Sequence, residues 1–296
     1  MKRGPALVSK ILIAEFEVTA QPRPLVELIS ETCLGQGWVT TMAEARETAE
    51  RWLPQVTSSM QREYSELSKT GRFVPFAFNS SSPTYVQGFA FVEPRDGEEV
   101  RAAKQGRAQF KSYAAALEQL TPTEFESLCT GVLAIIGVDE PILTPRSADE
   151  GIDFYGRLRL EKHIFTDKPL PGLQRQLGVW LIGQAKHYTK GQVSTPEVRD
   201  LVGAVNLAKG HAFGSGEDDK YKNLAVRVCD PVFYLFFTTG RLSANSWTLL
   251  ERSGVIGMDG QMLSAFLADH AVGVADGRFD EPSFREWLGR KGIPRV

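Results

Sequence analysis

The sequence predicts an α/β chain in two parts: a smaller N-terminal α+β domain over residues 1–110 and a mixed sheet flanked by helices over residues 111–296. Three observations predict this. The first ninety or so residues run from helical periodicity into strand-like alternation. A polar, highly charged stretch, "EPRDGEEVRAAKQGRAQ", then breaks the pattern. Beyond it, helical segments and β-rich apolar runs alternate, which calls for a sheet covered on both faces.

In the first part, "PLVELISETCLGQGW", "TMAEARETAERWL" and "VTSSMQREYSELSKTG" carry apolar residues at helical spacing. "GRFVPFAFN" and "TYVQGFAFVEP" alternate like strands around the turn-rich "SSSP". Three helices and a hairpin are the element order of a winged helix, whose third helix would present Ser58, Ser59, Gln61, Arg62 and Lys69 to a groove. A small helical domain that contacts a partner protein or the second domain fits the same pattern.

In the second part, "FKSYAAALEQL" reads as a linking helix and "LTPTEF" as a helix start. Thr121 is the N-cap, Pro122 the first residue and Glu124 the N3 acid. That helix places Phe125, Leu128, Val132 and Ile135 on one face, and Gly137 ends it. "GIDFYGRLRL" and "GVWLIGQAKHY" read as strands. A helix starts at Thr195 and Pro196, and "AVRVCDPVFYLFFTTG" holds a long β-rich run. A helix capped by Ser243 and closed by Gly254, the short strand "GVIGM" and the helix "GQMLSAFLADHAVG" complete the order.

Composition narrows the class. At 296 residues, with 42% hydrophobic and 24% charged residues, the chain can bury a core without staples. A net charge of −2 points away from bulk nucleic-acid affinity, though a local cationic patch would suffice for a site. Cys33, Cys129 and Cys229 have neither disulfide nor zinc spacing and are expected as buried thiols in a reducing compartment. The N-terminal apolar run is interrupted by Lys10, Glu15 and Glu17, so no signal peptide is expected. No run approaches the roughly 20 apolar residues of a membrane span. The expected location is the cytoplasm, without a membrane partner.

The chemistry lies in "SADEGIDFYG" and "WLIGQAKHY". Asp153 stands where one strand begins. Gln184 and Lys186 are two apart on the next, so they share a face while Ala185 faces the other way. If the strands pair, a carboxylate, an amide oxygen and an ammonium converge at one end of the sheet. That set suits metal-assisted phosphodiester hydrolysis: hard oxygens for Mg²⁺, and a lysine for the attacking water or a phosphate oxygen. Taken singly, Asp153 reads as a turn residue, and Gln184 and Lys186 as a solvated strand face. His163, His187, His211 and His270 lack ligand spacing and read as surface or loop residues. Thr238 and Thr239 read as strand-end and cap residues, and "KGHAFGSGEDDKYKN" as a connection.

"TPTEFESLCTGVLAIIGV", "SADEGIDFYG", "GQAKHY", "FFTTGRLSANS" and "DGQMLSAFLADHAVGV", in this order, resemble Mrr-like restriction endonucleases of the PD-(D/E)xK nuclease superfamily. The likeness covers residues 118 to 275. It implies a restriction-endonuclease-like fold and metal-dependent DNA cleavage in restriction or defence against foreign DNA. It implies Mg²⁺, for which Mn²⁺ can substitute, and a homodimer or higher homo-oligomer with DNA, or a defence-system protein, as partner. By the resemblance, Asp153 is the metal-binding aspartate, Gln184 takes the second acidic position and Lys186 is the catalytic lysine. Glu126 is the helix glutamate beside the metal, and Asp149 is accessory. The proline of the superfamily name is replaced by Ile152. The long insert "RLRLEKHIFTDKPLPGLQRQ" is cationic, and Arg157, Arg159 and Lys162, with Lys190 nearby, are expected on the DNA backbone. Glutamine in place of an acid also fits a catalytically silent nucleic-acid-binding or assembly module. A junction resolvase or an RNase fits the same residues.

Overall fold

A computed structural model of the chain describes residues 3–144, 151–160, 177–188, 192–193, 195–196, 198–199, 224, 226–227 and 229–289. The chain forms two compact units, Met1–Phe110 and Lys111–Val296.

The first unit runs α1 (Pro5–Glu15), β1 (Arg23–Pro24), α2 (Leu25–Gly35), α3 (Met42–Lys69), β2 (Phe76–Asn79), β3 (Ser82–Gly88) and α4 (Glu98–Arg107). Its three strands pair antiparallel in the order β1-β3-β2. Two helices expected over residues 41–71 are one helix of 28 residues, with Pro54 inside it. An interior proline costs about 3 kcal/mol. The buried stripe Ala45, Ala49, Val56, Met60 and Leu67 runs through it without losing phase, so packing on α1 and α2 outweighs the break. Helix α1, unforeseen, supplies Val8 and Leu12 to that core. The charged stretch expected as a break contains α4, with Glu98 and Glu99 in its first turn and Lys104 and Arg107 in its last. Those charges complement the helix dipole.

The second unit opens with α5 (Phe110–Glu118) and α6 (Pro122–Ile136). Thr121 and Glu124 form the expected capping box, and Gly137 ends α6 with φ 113°. The five-stranded sheet has the order β10-β8-β6-β5-β4, built from β4 (Ile142–Leu143), β5 (Phe154–Arg159), β6 (Gly178–Lys186), β8 (Val232–Thr238) and β10 (Ile256–Met258). The β4, β5 and β6 strands are antiparallel neighbours, while β6, β8 and β10 run parallel, so the sheet is mixed. Two short strands, β7 (Gln192–Val193) and β9 (Arg241–Leu242), pair beside it. The chain continues through α7 (Ala244–Ser253), capped by Ser243 and Gly254 as expected, and α8 (Gly260–Asp269). The small hairpin β11 (Val274–Ala275) and β12 (Arg278–Phe279) leads into α9 (Glu281–Gly289).

Strand alternation divides the core into two layers. Phe154, Val179, Leu181, Leu235 and Phe237 pack with α5, α6, α8 and α9. Tyr155, Trp180, Ile182, Tyr234 and Phe236 pack on the other face with Trp247 and Leu250 of α7. Thr195, Pro196, Val198 and Arg199 are helical where a helix was expected, and the rest of it lies outside the described residues. No helix among the described residues is long and apolar enough to cross a membrane. Cys33 and Cys129 are buried as expected, but Cys229 is exposed, in the turn that precedes β8.

Candidate active site

The register of β5 on β6 decides what Asp153 can touch. Phe154 pairs with Gly183, and the Asp153 N–H also donates to Gly183 O at 2.9 Å. Two successive residues thus face one, the signature of a bulge, which takes Asp153 out of the strand's alternation. Its carboxylate turns onto the neighbouring strand, where Oδ2 accepts the Ala185 N–H at 2.7 Å. The side chain therefore stands in for the backbone that β5 lacks beyond its first residue, and it lies between Gln184 and Lys186. On its other side, Thr144 N–H donates to Asp153 O at 2.9 Å, so β4 fixes the strand start.

Gln184 and Lys186 continue the alternation of Trp180 and Ile182 and share their face, while Ala185 packs into the opposite layer, as expected. Gln184 is 5% exposed, and its Oε1 is buried with no hydrogen-bond partner. The Lys186 end of β6 is tied to β8. Thr239 N–H donates to Lys186 O (3.3 Å), the Thr239 hydroxyl donates to Tyr188 O (3.0 Å), and Tyr188 N–H donates to Thr239 Oγ1 (2.8 Å). Thr238 and Thr239 are thus strand-end residues that pin the lysine's strand.

Glu126 lies on α6, which covers the face opposite Gln184 and Lys186. Burial pushes the Cys129 thiol far up, and the Asp153 and Glu126 carboxylates each add to that rise. The structure thus brings Asp153 against the backbone between Gln184 and Lys186, while Glu126 is on the helix that covers the opposite face. Among the described residues, no three His, Cys, Asp or Glu side chains gather as a metal-binding group. The Asp153 carboxylate and the neutral, unpartnered Gln184 oxygen are a sparse oxygen set. Such a set fits Mg²⁺, which keeps several of its waters, better than a metal that needs a full protein cage.

Two further polar atoms at this sheet end are buried without partners: Thr144 Oγ1 and His187 Nε2. His187, expected as a surface or loop residue, follows the end of β6 outside any strand, half-buried, with its ring 6.0 Å from that of Phe125. Neither residue has a local sequence signature. Arg157 and Arg159 are on β5, about 13 and 20 Å along the strand from Asp153 at 3.3 Å per residue. Arg159 is exposed and 4.0 Å from Asp139. Asp149, Lys162 and Lys190 lie outside the described residues.

Residues 117–213 match a family model, Mrr_cat, described as restriction endonuclease. This segment is similar to restriction endonuclease domains of the Mrr type. Glu126, Asp153, Gln184 and Lys186 all fall within it. No curated protein matches the chain. Among solved structures, the chain is similar to the MspJI restriction endonuclease in complex with a 27-mer oligonucleotide, at 17% identity and a TM-score of 0.41, over 71% of this chain and 42% of that one. It is also similar to the DNA modification-dependent restriction endonuclease AspBHI, at 18% identity and a TM-score of 0.38, over 71% and 46%. A third similar structure is restriction endonuclease FokI bound to DNA, at 11% identity and a TM-score of 0.31, over 99% and 48%. The chain spans less than half the length of each of these proteins.

Proposed function

We propose that the chain is a DNA endonuclease that hydrolyses phosphodiester bonds with Mg²⁺, in restriction or defence, with the Mrr-type domain as its catalytic part. The observation that carries this reading is the Asp153 carboxylate lying on the β6 backbone between Gln184 and Lys186, beside an orphaned Gln184 oxygen. Asp153, Gln184 and Glu126 would hold the cation. When bound, a divalent ion would offset charge that builds on the phosphate and favour ionisation of the attacking water. Asp153 keeps its place through the Ala185 N–H, which aims its carboxylate. Lys186, held by the Thr239 clamp, orients the attacking water or neutralises a phosphate oxygen. Arg157 and Arg159 would touch DNA backbone away from the scissile bond and make cleavage salt-sensitive.

The first unit would serve recognition. Its order of helix, strand, two helices and hairpin, with the first strand beside the last, supports a winged-helix reading. Ser58, Gln61, Arg62 and Lys69 are exposed on the C-terminal half of α3. A homodimer would supply two sites for two strands.

The test is plasmid cleavage in Mg²⁺ by the wild type, Asp153→Ala and Lys186→Ala. Each variant is expected to lose on the order of 10³-fold or more in rate, as for residues that act as one catalytic unit. Equal cleavage by all three would remove these assignments.

A further inference from the structure

We infer that Thr144 is a positioning residue of the cation site, its hydroxyl serving the ion's shell of oxygens and waters beside Asp153; the inference rests on the metal-nuclease reading above. Thr144 and Asp153 face each other across β4 and β5, joined by the Thr144 N–H to Asp153 O bond. Ile142, two residues earlier, packs in the layer of Ile182 and Trp180, so alternation puts the Thr144 side chain on the Gln184 face. Thr144 is 8% exposed, and its Oγ1 has no partner.

A buried hydroxyl without a partner is costly, and native proteins keep few. Here two orphaned oxygens, from Thr144 just past β4 and Gln184 on β6, lie at one end of the sheet, on either side of Asp153 in the strand order. A structural explanation for Thr144 fails, because valine would fill the same space, keep the N–H bond and carry no orphan. A hydrated divalent cation explains both atoms. It offers neutral oxygens a partner, and a hydroxyl can donate to or accept from its waters.

The experiment is calorimetric Mg²⁺ and Mn²⁺ titration with thermal melting, on the full chain, for wild type, Thr144→Val, Thr144→Ser and Asp153→Asn. Thr144→Val is expected to bind at least about 10-fold more weakly, the usual loss when an outer partner of a metal site is removed. Its Tm should be no lower than wild type, and Thr144→Ser should stay within a few-fold of wild-type affinity. If Asp153→Asn abolishes binding but Thr144→Val binds like wild type, the role of Thr144 is overturned and the metal site stands. If the wild type gives no heat that Asp153→Asn removes, the metal-nuclease reading fails and this inference fails with it. Should Thr144→Val not fold, Thr144→Ser and Thr144→Ala replace it, since both lose the methyl and only serine keeps the hydroxyl. A gap in affinity between them supports the role, and equal affinity overturns it.

Discussion

Among the described residues, two glutamines are buried at strand positions, and they are treated in opposite ways. Gln87, 1% exposed in the first unit, is satisfied at both ends. Asn79 Nδ2 donates to its Oε1 at 2.7 Å, and its Nε2 donates to Glu93 Oε1 at 2.6 Å. Glu93 also accepts from the Ser80 hydroxyl, and its N–H donates to Asp96, which pairs with Lys104 at 2.8 Å. Gln184 in the second unit has an orphaned oxygen, with Thr144 and His187 orphaned nearby. Among the described residues, every buried side-chain polar atom without a partner belongs to the second unit. The first glutamine ties a hairpin to the chain that follows it. The second, on the metal-nuclease proposal, would give its oxygen to the cation.

The sharpest way to break this contrast is to replace each glutamine with leucine. Gln87→Leu strands Asn79 and one Glu93 oxygen, and a stranded buried group costs about 1–3 kcal/mol. A loss of roughly 2–3 kcal/mol in urea denaturation is expected, with Mn²⁺ affinity unchanged. Gln184→Leu removes an orphan, so stability should hold or rise while Mn²⁺ affinity and cleavage fall at least about 10-fold. If Gln184→Leu destabilises as much as Gln87→Leu and binds metal normally, Gln184 is a structural residue.

Two glycines extend the comparison. A Cβ on Gly88 would overlap backbone atoms of Val18, whereas one on Gly183 would overlap the Phe154 ring. Backbone does not yield, so Gly88→Ala should cost stability near the top of the roughly 1–3 kcal/mol expected for overpacking. Gly183→Ala should cost less, because a ring can tilt. Phe154, however, is the neighbour of Asp153, so a tilt there should lower cleavage more than melting. If Gly183→Ala melts lower but cuts at the wild-type rate, the site tolerates movement at the bulge.

These residues also mark how far the sequence could be read. The shared strand and face of Gln184 and Lys186 were legible because strand alternation and chain order are local properties, and so were the caps Thr121, Gly137, Ser243 and Gly254. The continuity of α3 was not, because the penalty at Pro54 is local while the packing that overrides it comes from α1 and α2. Thr144 and His187 were invisible for the same reason. A threonine before "PRSADEG" and a histidine after "QAK" look like loop residues until the strands close over their polar atoms. The bulge at Asp153 follows from where β5 starts on β6, which no run of residues announces.

The smallest expected effect lies at the opposite end of β6. There Trp180 Nε1 donates to Asp230 Oδ2 at 3.2 Å, and Asp230 Oδ1 takes two bonds from the Arg227 guanidinium, at 2.7 and 3.0 Å. The hydrogen bonds from Arg227, chiefly, hold the Asp230 carboxyl down at about 2, below its ordinary value of 3.8. A depressed carboxyl stabilises the fold above its unfolded value, and that contribution is lost as pH falls from about 4 through about 2. Arg227 is 60% exposed, so solvent screening leaves on the order of 1 kcal/mol. Stabilities of wild type and Asp230→Asn from urea unfolding should therefore differ by that amount at pH 6, with the gap narrowing below pH 4 and gone only below about pH 2. Metal affinity should be the same in both proteins, because this end of the strand has its partners already. A gap that ignores pH would mean that Asp230 acts by shape and not by charge.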